Sequence, residues 1–256
     1  MGWELMVDHV HPSLQGQALV ARTWLEGMTG PVGRLRVKSE SLARLPDWNH
    51  YAAKQGSNIY EELAVALDME HLFNSDFMTQ SNPEARDRFR TRAIQLAALM
   101  PIELAHAIEH ATSNRLYQGR TFSASGLAGA YWYAQKHFEE AAQLLSVARE
   151  SAPPFGSERR EAAYYMLDAR ARASGGLSRE DRLILQDEIE RGLVLLRYGA
   201  SPSGKTQRFL GGLFQLSGDS LRSTEYHRQA DEKGFAKLVT PRHVLNPDSI
   251  EPLHDR

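Results

Sequence analysis

The chain has 256 residues, 42 % of them apolar and 24 % charged, with acids and bases interspersed to a net charge of −2. This is ordinary globular usage, and it excludes extensive disorder as well as a basic face for nucleic acid or anionic lipid. Cysteine is absent, which excludes disulfides and thiolate metal sites and leans towards a reducing compartment. No apolar run approaches the roughly 18 residues of a membrane span. Asp8 interrupts the apolar start before any signal-peptide core forms. A cytoplasmic protein without membrane insertion is expected.

Turn-forming residues divide the sequence into helix-sized pieces. Residues 14–28 place Leu14, Ala18, Trp24, Leu25 and Met28 at helical spacing. Gly30-Pro31 and Gly33 then break the pattern, and Arg34–Val37 reads as a short extended stretch. Helices are predicted at 57–72, carrying Tyr60, Leu63, Ala64 and Leu67, and at 83–99. The second begins with Asn82 as N-cap, Pro83 in the first turn and Glu84 facing the positive end of the dipole. Pro101 opens a further helix to about Tyr117. Two more, at 158–173 and 178–198, flank a Ser174-Gly175-Gly176 joint. Beyond Gly234 the chain turns polar, with Pro241, Pro247 and Pro252, and reads as a capping segment or tail.

The clearest repeat lies at 122–155. Gly129 and Ala141 allow two helices to approach closely, Trp132 and Phe138 fill the wedge between them, and Pro153 ends the second. With Leu145 and Ala148 these residues fall in the register of a 34-residue helix–turn–helix, and the segment resembles a tetratricopeptide repeat. A degenerate second match starts near Gly204: Leu210, Gly211 and Phe214 supply one helix, Gly218-Asp219 the turn and Ala230 the second helix. Ser220, Ser223 and His227 stand there where apolar residues are usual. The resemblance covers about half the chain and implies an all-α fold of antiparallel helix pairs in a tetratricopeptide-like solenoid. An unrelated helical bundle is the alternative.

At the N-terminus, Asp8-His9-Val10-His11-Pro12 precedes Gly16 and an alanine-bearing helix. This block resembles the last conserved segment of SGNH/GDSL hydrolases, where an Asp-x-x-His-Pro turn precedes the C-terminal helix. The resemblance implies His11 as general base and Asp8 as the group fixing its tautomer. The family places this block after the nucleophile strand and oxyanion residues, and only seven residues precede it here. A dyad without nucleophile or oxyanion hole cannot run acyl transfer. Residues 1–30 therefore read as the remnant of an SGNH-type domain, or as a turn that carries Asp and His by chance. Residues 31–121 read as a helical region, 122–237 as the repeats and 238–256 as the tail.

Four further motifs resemble chemistry. Gly218-Asp219-Ser220-Leu221 spells the nucleophile motif of the same hydrolases, but it sits in a repeat turn. Residues Gly199–Thr206 match a phosphate-binding loop, with Lys205 in the lysine position, but no strand ending in aspartate follows. His106 and His110 share a helix face that suits zinc, with Asp187 or Glu188 as a third ligand. Glu103-x-x-His106 has the spacing of half a di-iron site, and its counterpart Glu251/His254 falls in the proline-containing tail. Each is better read as loop or solvated helix face, so no metal or cofactor is expected.

The expected function is a protein- or peptide-binding module without nucleic-acid partners, as the C-terminal region of a longer SGNH-like protein. Its groove candidates are Tyr131, Tyr133 and Gln135 on the first repeat helix, with Tyr164, Tyr165 and Arg172 on the next pair. Trp132 reads as core. The alternative is an ester hydrolase using Asp8 and His11, with its serine supplied by sequence outside this chain.

Overall fold

A computed structural model describes residues 13–29, 39–82, 84–118, 123–198 and 204–235. Asp8, His11, the stretch at 34–37 and the proline-containing tail lie outside the described residues. Among the described residues every regular element is an α-helix. The chain divides after Ile59 into two compact units.

The first unit carries α1 (Leu14–Thr29), α2 (Ser39–Ala43) and α3 (Trp48–Lys54), with α1 packed on α3. Asp47 caps α3 by accepting the His50 N–H at 3.0 Å. Gly56 follows the helix at φ 83°.

The second unit begins with α4 (Ile59–Phe73), α5 (Asp76–Ser81), α6 (Ala85–Ala97) and α7 (Ile102–Gln118). The helix predicted at 83–99 is α6, with the N-cap position two residues later than expected. The Asn82 N–H closes the last turn of α5 on Met78 O at 2.9 Å, and Glu84 takes the N-cap position of α6. Phe73, fully buried, stacks on Phe89 of α6 at 5.6 Å, and Arg92 reaches Glu62 at 2.6 Å.

The expected pair at 122–155 is α8 (Ala124–Ala134) and α9 (Phe138–Ser151). Ser123 caps α8 by accepting the Gly126 N–H at 3.2 Å. A second acceptor comes from α4: Glu61 Oε1 takes the Ser125 N–H at 2.8 Å and the Ser123 hydroxyl at 3.1 Å. A carboxylate here also meets the positive end of the helix dipole. One residue back along α4, the Tyr60 hydroxyl accepts Trp132 Nε1–H at 2.9 Å. Helix α4 thus ties down α8 near both of its ends.

Gly129 sets the separation within the α8–α9 hairpin. A Cβ there would lie 2.6 Å from Leu145 Cγ and 3.1 Å from the Leu145 backbone nitrogen. The connecting turn is a Schellman motif, with His137 N bonded to Trp132 O at 2.9 Å, Lys136 N to Tyr133 O at 3.0 Å, and Lys136 left-handed at φ 65°. The hairpin α12 (Lys205–Leu216) and α13 (Ser220–Glu232) repeats this construction. There Asp219 N bonds Phe214 O at 2.9 Å, Gly218 N bonds Gln215 O at 3.1 Å, and Gly218 has φ 83°. Gly211 meets His227 at the spacing at which Gly129 meets Leu145, and a Cβ there would come within 2.6 Å of the ring. The turn after α3 carries the same bonds, Ser57 N to Ala52 O and Gly56 N to Ala53 O.

Between the hairpins run α10 (Ser157–Ser174) and α11 (Arg179–Arg197), as the flanking joint predicts. A capping box starts α11, with Ser178 and Asp181 each accepting the other's backbone N–H at 3.1 Å. Helix α10 packs more extensively on α9 than on α11, and it also touches α8 and α12. Its Met166, Leu167 and Ala169 are fully buried beside Leu145, Leu185, Phe209 and Leu213. Glu188 of α11 is likewise fully buried, and its Oε1 accepts Arg149 Nε of α9 at 2.9 Å and Arg159 Nε of α10 at 3.1 Å. One carboxylate therefore joins three helices.

Two outcomes follow. Gly129→Ala drives a methyl to 2.6 Å from Leu145 Cγ and 3.1 Å from its backbone nitrogen and is expected to cost about 1–3 kcal/mol. Gly126→Ala, whose Cβ would make ordinary contacts with Ala148 Cβ at 3.5 Å, Ser123 Cβ at 3.6 Å and Ser123 Oγ at 3.9 Å, is expected to be neutral or to gain up to about 1 kcal/mol from helix propensity; urea unfolding of both variants measures the contrast. Glu188→Ala leaves two nearly buried guanidinium groups facing each other, and the same measurement is expected to show a loss of about 3–5 kcal/mol.

Candidate functional site

Four of the six groove candidates converge where α8, α10 and α12 meet. Tyr133, near the C-terminal end of α8, lies half-buried with its ring edge-to-face on Tyr165 of α10 at 5.1 Å. Tyr165 is buried, and it meets the half-buried Tyr164 at 5.1 Å and Phe209 of α12 at 6.5 Å. Tyr164 also faces Phe209 at 6.1 Å. The α12 backbone admits Tyr164 only because residue 212 is glycine: a Cβ there would lie 2.5 Å from the ring. The result is a row of aromatic rings running across three helices, with edge-to-face geometry favoured by the ring quadrupoles.

A cation stands at each end of the row. The Arg172 guanidinium, at the exposed end of α10, lies 5.6 Å from the Phe138 ring centre and 6.0 Å from that of Tyr133. Lys205, at the start of α12, lies 5.8 Å from the centre of Phe209 and pairs with Glu161 at 3.0 Å. Between them Asp168 of α10, 8 % exposed, accepts from the Tyr133 hydroxyl and from Arg172 Nε at 2.5 Å. Both ends of the row are therefore charge-compensated, as burial of a carboxylate requires.

The local electrostatics follow from this packing. Burial raises the Tyr133 phenol above its usual range, and the hydrogen bond to Asp168 and the Asp168 charge add to the effect, with Arg172 opposing. Burial also raises Tyr165, with Glu161 next in effect, and Tyr164, with Asp168 adding and Arg172 opposing. The hydrogen bond that Arg172 donates to Asp168 holds its guanidinium protonated more firmly than usual.

The remaining candidates lie elsewhere. Tyr131 is half-buried against Trp132 at 5.2 Å, and Gln135 is exposed at the end of α8. Trp132 packs against the core, as expected of it. Sequence reasoning missed Asp168 and Phe209. Asp168 was visible as a lone acid within the apolar run Tyr164–Ala169, four residues before Arg172, a spacing that aligns the two side chains on a helix.

Of the residues in the chemistry-like motifs, Asp219 caps α13 by accepting the Arg222 N–H at 3.0 Å, and Ser220 opens that helix. His106 and His110 are exposed on α7, while Glu188 is committed to Arg149 and Arg159. Among the described residues no three His, Asp or Glu side chains gather as a metal site would need. Residues 199–203 of the phosphate-loop-like segment lie outside the described residues; Lys205 pairs with Glu161, and Thr206 is buried and accepts from Arg160 at 3.2 Å.

Raised phenols make stability fall in alkali. Their contribution is fully present below the unfolded value of 10.0 and is lost as pH climbs past it towards the higher folded values. Absorbance titration at alkaline pH is expected to show the buried tyrosines ionising only with unfolding, and Tyr133→Phe should reduce the steepness of the stability loss above about pH 10. A slope unchanged by the substitution would contradict the placement of Tyr133 against Asp168.

No protein-family model, no curated protein and no solved structure matches this chain.

Proposed function

We propose that residues 123–235 form a tetratricopeptide-like array of helix pairs, α8–α9, α10–α11 and α12–α13, that binds an extended polypeptide segment of a partner protein. The observation that carries this reading is the aromatic row Tyr133, Tyr165, Tyr164 and Phe209. It is contributed by the first helix of each of three successive pairs, the position from which stacked helical repeats present a shared concave surface. Repetition of the Schellman turn and of the glycine approach at Gly129 and Gly211 supports the repeat assignment. The half-buried rings offer apolar area at low cost in side-chain entropy, and the exposed Arg172 offers hydrogen-bond donors beside them. A peptide lying across α8 and α10 would exchange water for the half-buried rings of Tyr133 and Tyr164, which Tyr165 and Phe209 support from beneath.

Selection of random dodecapeptides displayed on phage against the purified chain tests the proposal. Peptides that bind the wild type are expected to lose about tenfold or more in affinity against Tyr164→Ala and against Arg172→Ala, the loss of roughly 1.4 kcal/mol expected of a mid-sized contact residue. Leu221→Ala, at an 85 % exposed position on α13, should bind as wild type does. Circular dichroism checks that each variant is folded. Selected peptides that bind Tyr164→Ala and Arg172→Ala undiminished would rule out this face.

A further inference from the structure

His227 occupies a position where tetratricopeptide-like packing wants an apolar residue, and its environment gives that substitution a role. The half-buried imidazole lies against Gly211 of α12, where no Cβ intervenes. Its Nδ1 stands 3.3 Å from Nη1 of Arg208. A guanidinium has only donors. The imidazole must therefore accept at Nδ1, which makes it neutral with its proton on Nε2.

Arg208 is itself the fastening between the start of α12 and the end of α13. Its side chain is 9 % exposed, it pairs with Asp231, and it donates to the Phe235 carbonyl from Nε at 3.1 Å and from Nη2 at 2.6 Å. The two chain segments approach closely here, since a Cβ on Gly204 would lie 3.0 Å from Ala230 O. Among the described residues, the charged groups that face His227 are Arg208 from α12 and Asp231 from its own helix.

We propose that His227 is an acid-sensitive latch: its neutral ring holds Arg208 on the Phe235 carbonyl, and protonation of the ring frees the C-terminal turn of α13 from α12. A proton on Nδ1 removes the acceptor and sets a second cation against a guanidinium with little access to water. The new imidazolium also competes for Asp231, the carboxylate that balances Arg208. Each change weakens the hold on residues 231–235, and none touches the core around α10.

The direction of the effect follows from the ring's surroundings. Burial lowers the basicity of His227, Arg208 lowers it further, and Asp231 opposes them. A depressed folded value means that the unfolded or opened turn binds the proton more readily. The latch is fully closed above the unfolded histidine value of about 6.5 and opens as pH falls below it.

Amide hydrogen exchange followed by NMR on the intact chain reads the latch directly. The Phe235 amide, bonded to Ala230 O at 2.9 Å, is expected to lose at least about threefold in protection factor between about pH 7.5 and pH 5.5, while Met166 in α10 keeps its protection. His227→Gln supplies a neutral acceptor at every pH and should abolish the dependence. Titration of the His227 ring in the wild type, which needs no variant to fold, should give a midpoint below that of an exposed histidine. Equal Phe235 protection at both pH values, a drop that persists in His227→Gln, or a His227 midpoint at or above the ordinary value would each overturn the proposal.

Discussion

Helix α10 has almost no face to spare for water, and the rest of the second unit is arranged around that constraint. Four helices touch it, and from Arg160 to Ala169 most of its side chains are buried. Yet its sequence carries Arg159, Arg160, Asp168 and Arg170, groups that cannot be desolvated without partners. Each partner comes largely from another element. Arg159 meets Glu188, Arg160 meets Thr206 and the Phe155 carbonyl, Asp168 meets Tyr133, and Arg170 meets Asp181 at 2.6 Å. The charged positions of one helix thereby fix the placement of α8, α11 and α12 around it. The aromatic row exists because of this arrangement: its central members, Tyr164 and Tyr165, ride on the helix that its neighbours enclose.

A second constraint is separation. Glycine at 129, 211 and 212 lets backbone come close to Leu145, His227 and Tyr164, in each case to a distance that a methyl would forbid. The consequences differ at the three sites. At Gly129 the close approach makes a hairpin, at Gly212 it seats a ring of the row, and at Gly211 it admits an imidazole that is polar as well as large. Packing rules shared by the two hairpins thus support different chemistry at equivalent places.

Much of this was legible in the sequence, and what was not has identifiable causes. The α8–α9 hairpin announced itself through Gly129, Trp132, Ala141 and Pro153, because close approach and wedge filling demand particular residue sizes. The α10–α11 pair was bounded correctly by its Ser-Gly-Gly joint. The central burial of α10 was invisible, since its arginines and small alanines give it the composition of a surface helix. The Schellman-type turn after α3 has Gly56 as its only strong signal in the sequence, and the helices on either side lack the aromatic wedge. Asn82 misled because asparagine suits the end of α5 as well as the start of α6. In the candidate site the tyrosines and Arg172 could be chosen from helix register alone. Asp168 and Phe209 required knowledge of which helices meet.

The unequal packing of α10 has a consequence for how this region can change. Its larger interface is with the helix before it, across the Pro153-Pro154 junction, rather than with α11, its partner in the chain. The boundaries between helix hairpins along the chain are therefore not the boundaries along which the structure separates. In a solenoid whose units are self-contained, a gene can gain or lose one helix pair and leave the others intact. Here, removal of α10 with α11 would strip α9 and α12 of their common neighbour and leave Tyr133 without its carboxylate. Residues 123–235 are thus bound together through α10, and no cut between helix pairs would leave the remaining pairs with their contacts intact.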